Sequence, residues 1–374
     1  MTVVITGGYG FLGWHLSARL LAQTSKVPIR VGRTELMDKV RLRAIVEQAD
    51  VIYHLAGVNR ASNPREVEEG NLRLARVLGQ AILARNKPVR LVYANSIQAL
   101  DGNPYGRGKA GAAEILRHAT TAVGGVMADV LLPNLFGEHG RPEYNSFVAT
   151  FAHSIVNGTE PVVIADREIP LLHAQSAAQA LIEAANEPVD IRHQPGGSPR
   201  LVSEVLAQLV DFERLYKHGE VPELTDQFTI DLFNTYRSYT FPERFPLYPR
   251  VHTDSRGILF ESLRYHGGEA QTYVSTTRPG QIRGEHYHVH KFERFVVVRG
   301  TAEINLRRLL DDRVITFRVS GNKPAIIDMP TMWIHNLRNV GSDELVTHFF
   351  SSQLLDQAAP DQYFAEVQPE ERSA

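Results

Sequence analysis

The sequence predicts two folded parts in series: a doubly wound α/β domain with a parallel sheet over 1–245, then an all-β barrel over 246–374. Three observations carry this. A short β-branched strand, Thr2 to Thr6, runs into the turn Gly7-Gly-Tyr-Gly10-Phe-Leu-Gly13 and then a helical stretch from about Trp14 to Ala22. Near-continuous apolar strands then alternate with helical patterns, as in a parallel sheet covered on both faces. Past a crowd of aromatic and proline residues between Asp226 and Arg250, where the join is placed, the chain reads as strands and turns up to Phe350.

At 374 residues the chain is long for one core. Its 43% hydrophobic and 22% charged residues are those of an ordinary globular protein. A formal net charge of −2, without a basic run, offers no field for nucleic acid. The absence of cysteine excludes disulfides and a thiolate-bound zinc. No apolar segment approaches a membrane span, and Met1 leads directly into a strand, so the expected location is the cytoplasm.

Glycines at a strand-to-helix turn let the backbone approach a pyrophosphate, which rests on the amides of the helix N-terminus. This makes Thr6, Gly7, Gly10, Phe11, Leu12 and Gly13 candidates for holding a dinucleotide. The next strand, about Pro28 to Val31, ends in Gly32-Arg33-Thr34, where an NAD site would carry an acid. Arg33 suits a 2′-phosphate instead, so the expected cofactor is NADPH. Asp50 to Gly57 reads as a third buried strand, with Leu55, Ala56 and Gly57 at its carboxyl end as further cofactor candidates. A helical pattern from about Pro64 to Ala84 and a strand from Val89 to Ala94 follow.

Ser96 lies at the carboxyl end of that strand, where open α/β sheets bind ligands. Nine residues on, Tyr105-Gly-Arg-Gly-Lys109 opens the next helix, and residues four apart share a helical face. The expected roles are a Ser96 hydroxyl on the substrate oxygen, a Tyr105 phenol exchanging its proton, and a Lys109 ammonium drawing the phenol pKa down. Tyr105 and Lys109 are also cofactor candidates. From about Phe147 to Pro222 the pattern is mostly helical.

The second part centres on His286-x-His288-x4-Glu293-x6-Gly300. Two residues apart on a strand, His286 and His288 share a face. Glu293 joins them only if the chain turns near Val289 to Lys291, as in a barrel hairpin. Met329-Pro-Thr-Met-Trp-Ile-His335 supplies a third imidazole. Three His and one Glu suit a divalent metal, expected to be zinc, that keeps a position open for a substrate oxygen. The polar tail after Glu366 is expected to fray.

These motifs carry resemblances. Together with Pro330-x4-His335-x3-Asn339, the His and Glu spacing resembles the paired motifs of the cupin superfamily. One departure is Met332, where cupins usually carry Gly, so the loop before His335 is expected to differ in shape. Thr6-Gly7-x-x-Gly10-x-x-Gly13 with Ser96, Tyr105 and Lys109 resembles the extended short-chain dehydrogenase/reductases, which have a Rossmann domain. Leu132-Pro-Asn134-Leu-Phe-Gly137 resembles the start of their substrate lobe.

With Asn59, Asn103-Pro-Tyr105-Gly, Tyr144-Asn-Ser146 and Pro360-Asp-Gln-Tyr-Phe364, the pairing is similar to the reductase–cupin fusions of capsular polysaccharide assembly. That resemblance implies a two-step enzyme on the route to UDP-N-acetyl-L-fucosamine. Its cupin epimerises a UDP-linked 4-keto-6-deoxy-N-acetylhexosamine at C3, and its reductase then reduces the C4 ketone with NADPH. It also implies Asn59, Asn134, Arg141 and Asn145 as substrate residues, and a homodimer. The epimerase base stays open among His290, Lys291 and Tyr273, or any of the His if the site is metal-free. Two other readings share these motifs: an enzyme on another nucleotide-linked 4-keto-6-deoxy sugar, and a non-catalytic NADP-sensing regulator with a ligand-binding cupin.

Overall fold

A computed structural model describes residues 1–85 and 87–368. They fall into two compact units, one of Met1–Phe147 with Asp166–Val202, the other of Val148–Ala165 with the chain from Ser203 onward. The expected join at 245/246 therefore lies inside the second unit. Helices Val202–Tyr216 and Gln227–Arg237 explain why. The guanidinium of Arg294 grips Asp328 at 2.7 and 2.9 Å, and Tyr216 donates to the same carboxylate at 2.7 Å. Arg237 donates to the Tyr216 hydroxyl at 3.0 Å and lies 3.9 Å from the Phe292 ring centroid. These side chains are buried, so the network ties both helices to the strands behind them.

In the first unit, β1 (Val3–Thr6), α1 (Phe11–Thr24), β2 (Ile29–Val31), α2 (Arg33–Met37), α3 (Lys39–Gln48), β3 (Val51–His54), α4 (Pro64–Leu83), β4 (Arg90–Ser96), α5 (Pro104–Ala122) and β5 (Val126–Leu132) follow in order. The sheet order is β2-β1-β3-β4-β5 and then strand Ile191–His193, all parallel. Successive side chains point to opposite faces. Val4, Ile52 and Leu91 pack against Leu74 and Leu78 of α4 and Leu116 of α5. Ile5, Tyr53 and Val92 pack against Leu16 and Leu20 of α1 and Leu181. This two-faced burial is why the strands read as continuous apolar runs.

Two expectations change here. α1 begins at Phe11, three residues before Trp14, so Gly13 lies in its first turn. Within the stretch read as mostly helical, strands Glu168–His173 and Ser198–Leu201 form a three-stranded sheet with Asn134–Phe136. Their partners are distant in sequence, so no local period announces them.

The second unit is built on two larger antiparallel sheets. One orders Gln271–Thr277, Leu345–Ser351, Glu293–Arg299 and Ile326–Met329. The other orders Val314–Ser320, Thr301–Arg308, Trp333–Asn339, Ile282–Tyr287 and Tyr363–Phe364. The hairpin expected between His288 and Glu293 is not one: the strands on either side belong to different sheets, and residues 288–292 cross between them. The chain beyond Glu366 is held as far as Val367, whose amide donates to Glu285 at 2.7 Å and whose carbonyl accepts from Arg307 at 2.7 Å. The rest of the expected frayed tail, 369–374, lies outside the described residues. Among those described, no helix is long and apolar enough to cross a membrane.

Candidate functional site

At the carboxyl end of β1, Gly7 adopts φ +73°, and a Cβ there would sit 2.7 Å from the Ala56 amide nitrogen. A Cβ on Gly13 would fall 2.2 Å from the Gly7 carbonyl oxygen, so only glycine lets α1 close this tightly on the loop. Gly10 caps α1 without a side-chain hydrogen bond. The loop therefore presents first-turn amides, which is the surface a pyrophosphate needs. Leu55 and Ala56 line its other side, while Gly57 faces Asn71. Asn71, missed in sequence, shapes that side by accepting from the Val58 amide at 3.2 Å and donating to its carbonyl at 2.8 Å.

Arg33 stands exposed at the first position of α2. The cation against the glycine loop is Arg30, 4.5 Å from the Tyr9 ring centroid, which sequence reasoning passed over as a strand residue. Glu35, the nearby acid, is engaged by the Gly32 amide at 3.0 Å.

Ser96 is the last residue of β4; its hydroxyl accepts from the Gln98 amide at 3.2 Å and stands near enough to the Tyr105 phenol to draw its pKa down. Asn103 caps α5 by accepting from the Gly106 amide at 2.8 Å. A Cβ on Gly106 would meet the Gln98 carbonyl oxygen at 2.1 Å, so this glycine is what lets Tyr105 come down onto the end of β4. Lys109 is buried, donating to the Ala94 carbonyl at 2.6 Å with its ammonium 4.3 Å from the Tyr93 ring centroid.

The expected direction of the phenol pKa is reversed. Burial raises Tyr105, and the neighbouring Ser96 hydroxyl offsets only part of that. Lys109 itself is lowered to about 7 by burial, with the Asp129 charge pulling the other way. The two stand four residues apart on α5, and burial is the largest cause of the shift at each. His54, also overlooked, lies behind them. It shares a 2.6 Å hydrogen bond with Thr6 Oγ1, stacks on Tyr93, and is lowered to about 3 by burial and then the Lys109 charge.

The substrate candidates Asn59, Asn134, Arg141 and Asn145 are all exposed. Arg60 and Arg141 lie 5.5 and 5.4 Å from the Tyr144 ring centroid, and Arg60 donates to the Glu143 carbonyl at 3.0 Å. This joins the loop after β3, which carries Asn59, to the loop carrying Arg141 and Asn145. No contact places Asn134 with them.

In the second unit His286 and His335 are cross-strand partners with ring centroids 4.7 Å apart, and His286 and His288 are 4.9 Å apart. Glu293 Oε2 faces the Nε2 atoms of His286, His288 and His335 at 4.0, 3.4 and 3.5 Å. Those three nitrogens are buried without a hydrogen-bond partner, and the four ligating atoms lie within 4.8 Å of one another. Ligands about 2.1 Å from one ion sit roughly 3 to 3.5 Å apart, so the set fits a divalent metal. His335 Nδ1 faces the Trp333 carbonyl at 3.1 Å, leaving Nε2 as the ligating atom.

Burial opposes ionisation of Glu293, yet the three imidazoles hold it well below the usual carboxylate range. His335 is lowered to about 4 by burial, with Glu293 pulling it back up. Of the candidate bases, Tyr273 reaches the cluster, donating to Glu293 Oε1 at 2.9 Å. Lys291 donates instead to the Pro360 carbonyl at 3.0 Å. The loop before His335 keeps the shape a glycine would have. Met332 adopts φ +60°, fully buried, with its amide donating to the His288 carbonyl at 2.6 Å. That bond and the burial offset a left-handed conformation that costs about 1–2 kcal/mol.

Residues 3–195 match the NAD dependent epimerase/dehydratase family, more than half of the chain. The chain belongs to that family. Residues 252–363 match the polysaccharide biosynthesis C-terminal domain, so this epimerase/dehydratase family member carries a second, separate module. The chain is 31% identical over 373 residues to a UDP-2-acetamido-2,6-beta-L-arabino-hexul-4-ose reductase of Pseudomonas aeruginosa, covering 98% of this chain and 99% of that one. It is similar to the crystal structure of capsular polysaccharide assembling protein CapF from Staphylococcus aureus, with TM-score 0.61, 29% identity, and 98% and 100% of the two chains covered. The family fold alone is shared with UDP-N-acetylglucosamine 4-epimerase from Bacillus cereus, at TM-score 0.50 and 21% identity over 57% of this chain and 82% of that one.

Proposed function

We propose that this chain is a bifunctional nucleotide-sugar enzyme. Its cupin part epimerises a UDP-linked 2-acetamido-2,6-dideoxy-4-hexulose at C3 with a divalent metal, expected to be zinc. Its reductase part then reduces the C4 ketone with NADPH. The observation that supports this most is the likeness to the Pseudomonas reductase over nearly the full length of both chains. The Ser96, Tyr105 and Lys109 geometry agrees with it. The substrate class suits the cytoplasm, and a homodimer is expected from the resemblance.

In the reductase part, Thr6, Gly7, Gly10, Phe11, Leu12, Gly13, Leu55, Ala56 and Gly57 would hold NADPH, with Arg33 at its 2′-phosphate. When bound it supplies the hydride to C4. Ser96 and Tyr105 hold the ketone oxygen, and Tyr105 gives it a proton as negative charge develops there. A phenol raised by burial stays protonated at neutral pH, as an acid must. Lys109 then supplies positive charge against the phenolate left behind. Asn59, Asn134, Arg141 and Asn145 orient the substrate.

In the cupin part, His286, His288, Glu293 and His335 would hold the metal, which supplies Lewis-acid polarisation of the ketone oxygen. Epimerisation removes the C3 proton from one face and returns one to the other. Tyr273, hydrogen-bonded to Glu293, is the side chain beside the cluster with a proton to move.

Incubation with NADPH and the UDP-linked 4-keto sugar, with the product followed by NMR, tests this. The expected outcome is NADPH oxidation and a C3-inverted, C4-reduced sugar. In deuterated buffer, deuterium enters at C3. No turnover of either cofactor or sugar sinks the reading.

A further inference from the structure

We propose that Asp361 is the positioning residue of the metal centre, a role that rests on the metal reading above. The observations are geometric and come from a segment some seventy residues downstream of the ligands it touches. The Asp361 backbone carbonyl lies 2.6 Å from His288 Nδ1, which fixes the proton there and leaves Nε2 as the ligating lone pair. The Asp361 carboxylate accepts three consecutive backbone amides, from Val289 at 3.0 Å, His290 at 2.9 Å and Lys291 at 3.0 Å.

Three successive amides around one carboxylate form an anion nest, and here the anion belongs to the chain itself. The loop so capped carries His288 and crosses from the sheet of His286 to the sheet of Glu293. Its position is locked further by the Lys291 ammonium on the Pro360 carbonyl at 3.0 Å. Pro360 restricts the preceding turn, and Asp361 adopts φ +40°, a conformation that Asp tolerates better than most residues. The following strand, Tyr363–Phe364, pairs with the His286 strand, and the Tyr363 ring stacks on Tyr287 at 5.3 Å. One residue thus sets the tautomer of one ligand and the path of the chain to the next.

The test uses the full chain. Zinc affinity is measured by chelator competition, and the His288 ring nitrogens are followed by ¹⁵N NMR in the metal-free protein. Asp361→Ala should raise the zinc Kd by about 10- to 100-fold. With the carboxylate gone, nothing ties Asp361 to the 289–291 amides, so its backbone carbonyl should move off His288 Nδ1 and the His288 signal should pass from one Nδ1-protonated form to a mixture. Asp361→Asn, which keeps one acceptor oxygen, should fall between. A Kd within about twofold of the wild type and an unchanged His288 signal in Asp361→Ala overturn the proposal. If circular dichroism shows that the alanine variant does not fold, the same two readouts on Asp361→Asn decide it. Should the wild type bind no zinc, the metal reading fails by itself, and the His288 signal alone decides the role of Asp361.

Discussion

The two candidate sites handle buried polar atoms in opposite ways. In the first unit the buried groups beside Tyr105 already have partners: Lys109 on the Ala94 carbonyl, His54 on Thr6. In the second unit three imidazole nitrogens converge on one carboxylate without hydrogen-bond partners. Buried polar atoms are nearly always satisfied, so a convergent unsatisfied set marks a place built for something outside the chain. The satisfied set marks groups held ready in a defined protonation state. The first arrangement suits moving a proton and the second suits holding a cation.

The comparison predicts separable activities, and its sharpest break is Tyr105→Phe. That variant should lose about 10²- to 10⁴-fold in ketone reduction while C3 deuterium exchange persists, both read by NMR. Parallel loss of the two activities contradicts independent sites.

The second-largest effect is expected behind the candidate cation site. Asp328→Ala leaves Arg294 buried without its counter-charge, next in sequence to Glu293. It should destabilise the second unit by about 3–5 kcal/mol. Hydrogen exchange should then rise in strand Glu293–Arg299 while β1, β3 and β4 stay protected. Equal loss of protection in both units would show that they do not unfold separately.

The smallest effect concerns Lys109. Its folded pKa of about 7 lies below the unfolded value near 10.4, so the unfolded chain binds the extra proton between those limits. Stability of the nucleotide-free protein should therefore rise with pH across that window. Denaturant unfolding of Lys109→Met should show a flatter dependence there. An unchanged slope would place the ammonium in a wetter setting than its burial indicates.

Much of each site was legible because its chemistry is written in short spacings. The glycine turn, Ser96 with Tyr105 and Lys109, and His286 with His288 all depend on neighbours within a few residues, where strand and helix geometry dictate direction. Arg33 shows the limit of this, since position after β2 left it exposed while Arg30 packed against the glycine loop. Asn71 and His54 went unnoticed because a polar residue in an apolar pattern carries no sign of its partner.

Sequence alone determined the local frames: which residues turn, which share a face, and which chemistry each face can offer. Tertiary structure decided what those frames enclose. Burial comes from distant segments, so the direction of the Tyr105 shift was settled by packing rather than by Lys109. The same reason put His286 and Glu293 in different sheets, drew the helices of 203–237 into the second unit, and brought Asp361 under the loop of residues 288–292. Each depends on contacts whose partners are far apart along the chain, and such contacts leave no periodic trace in it.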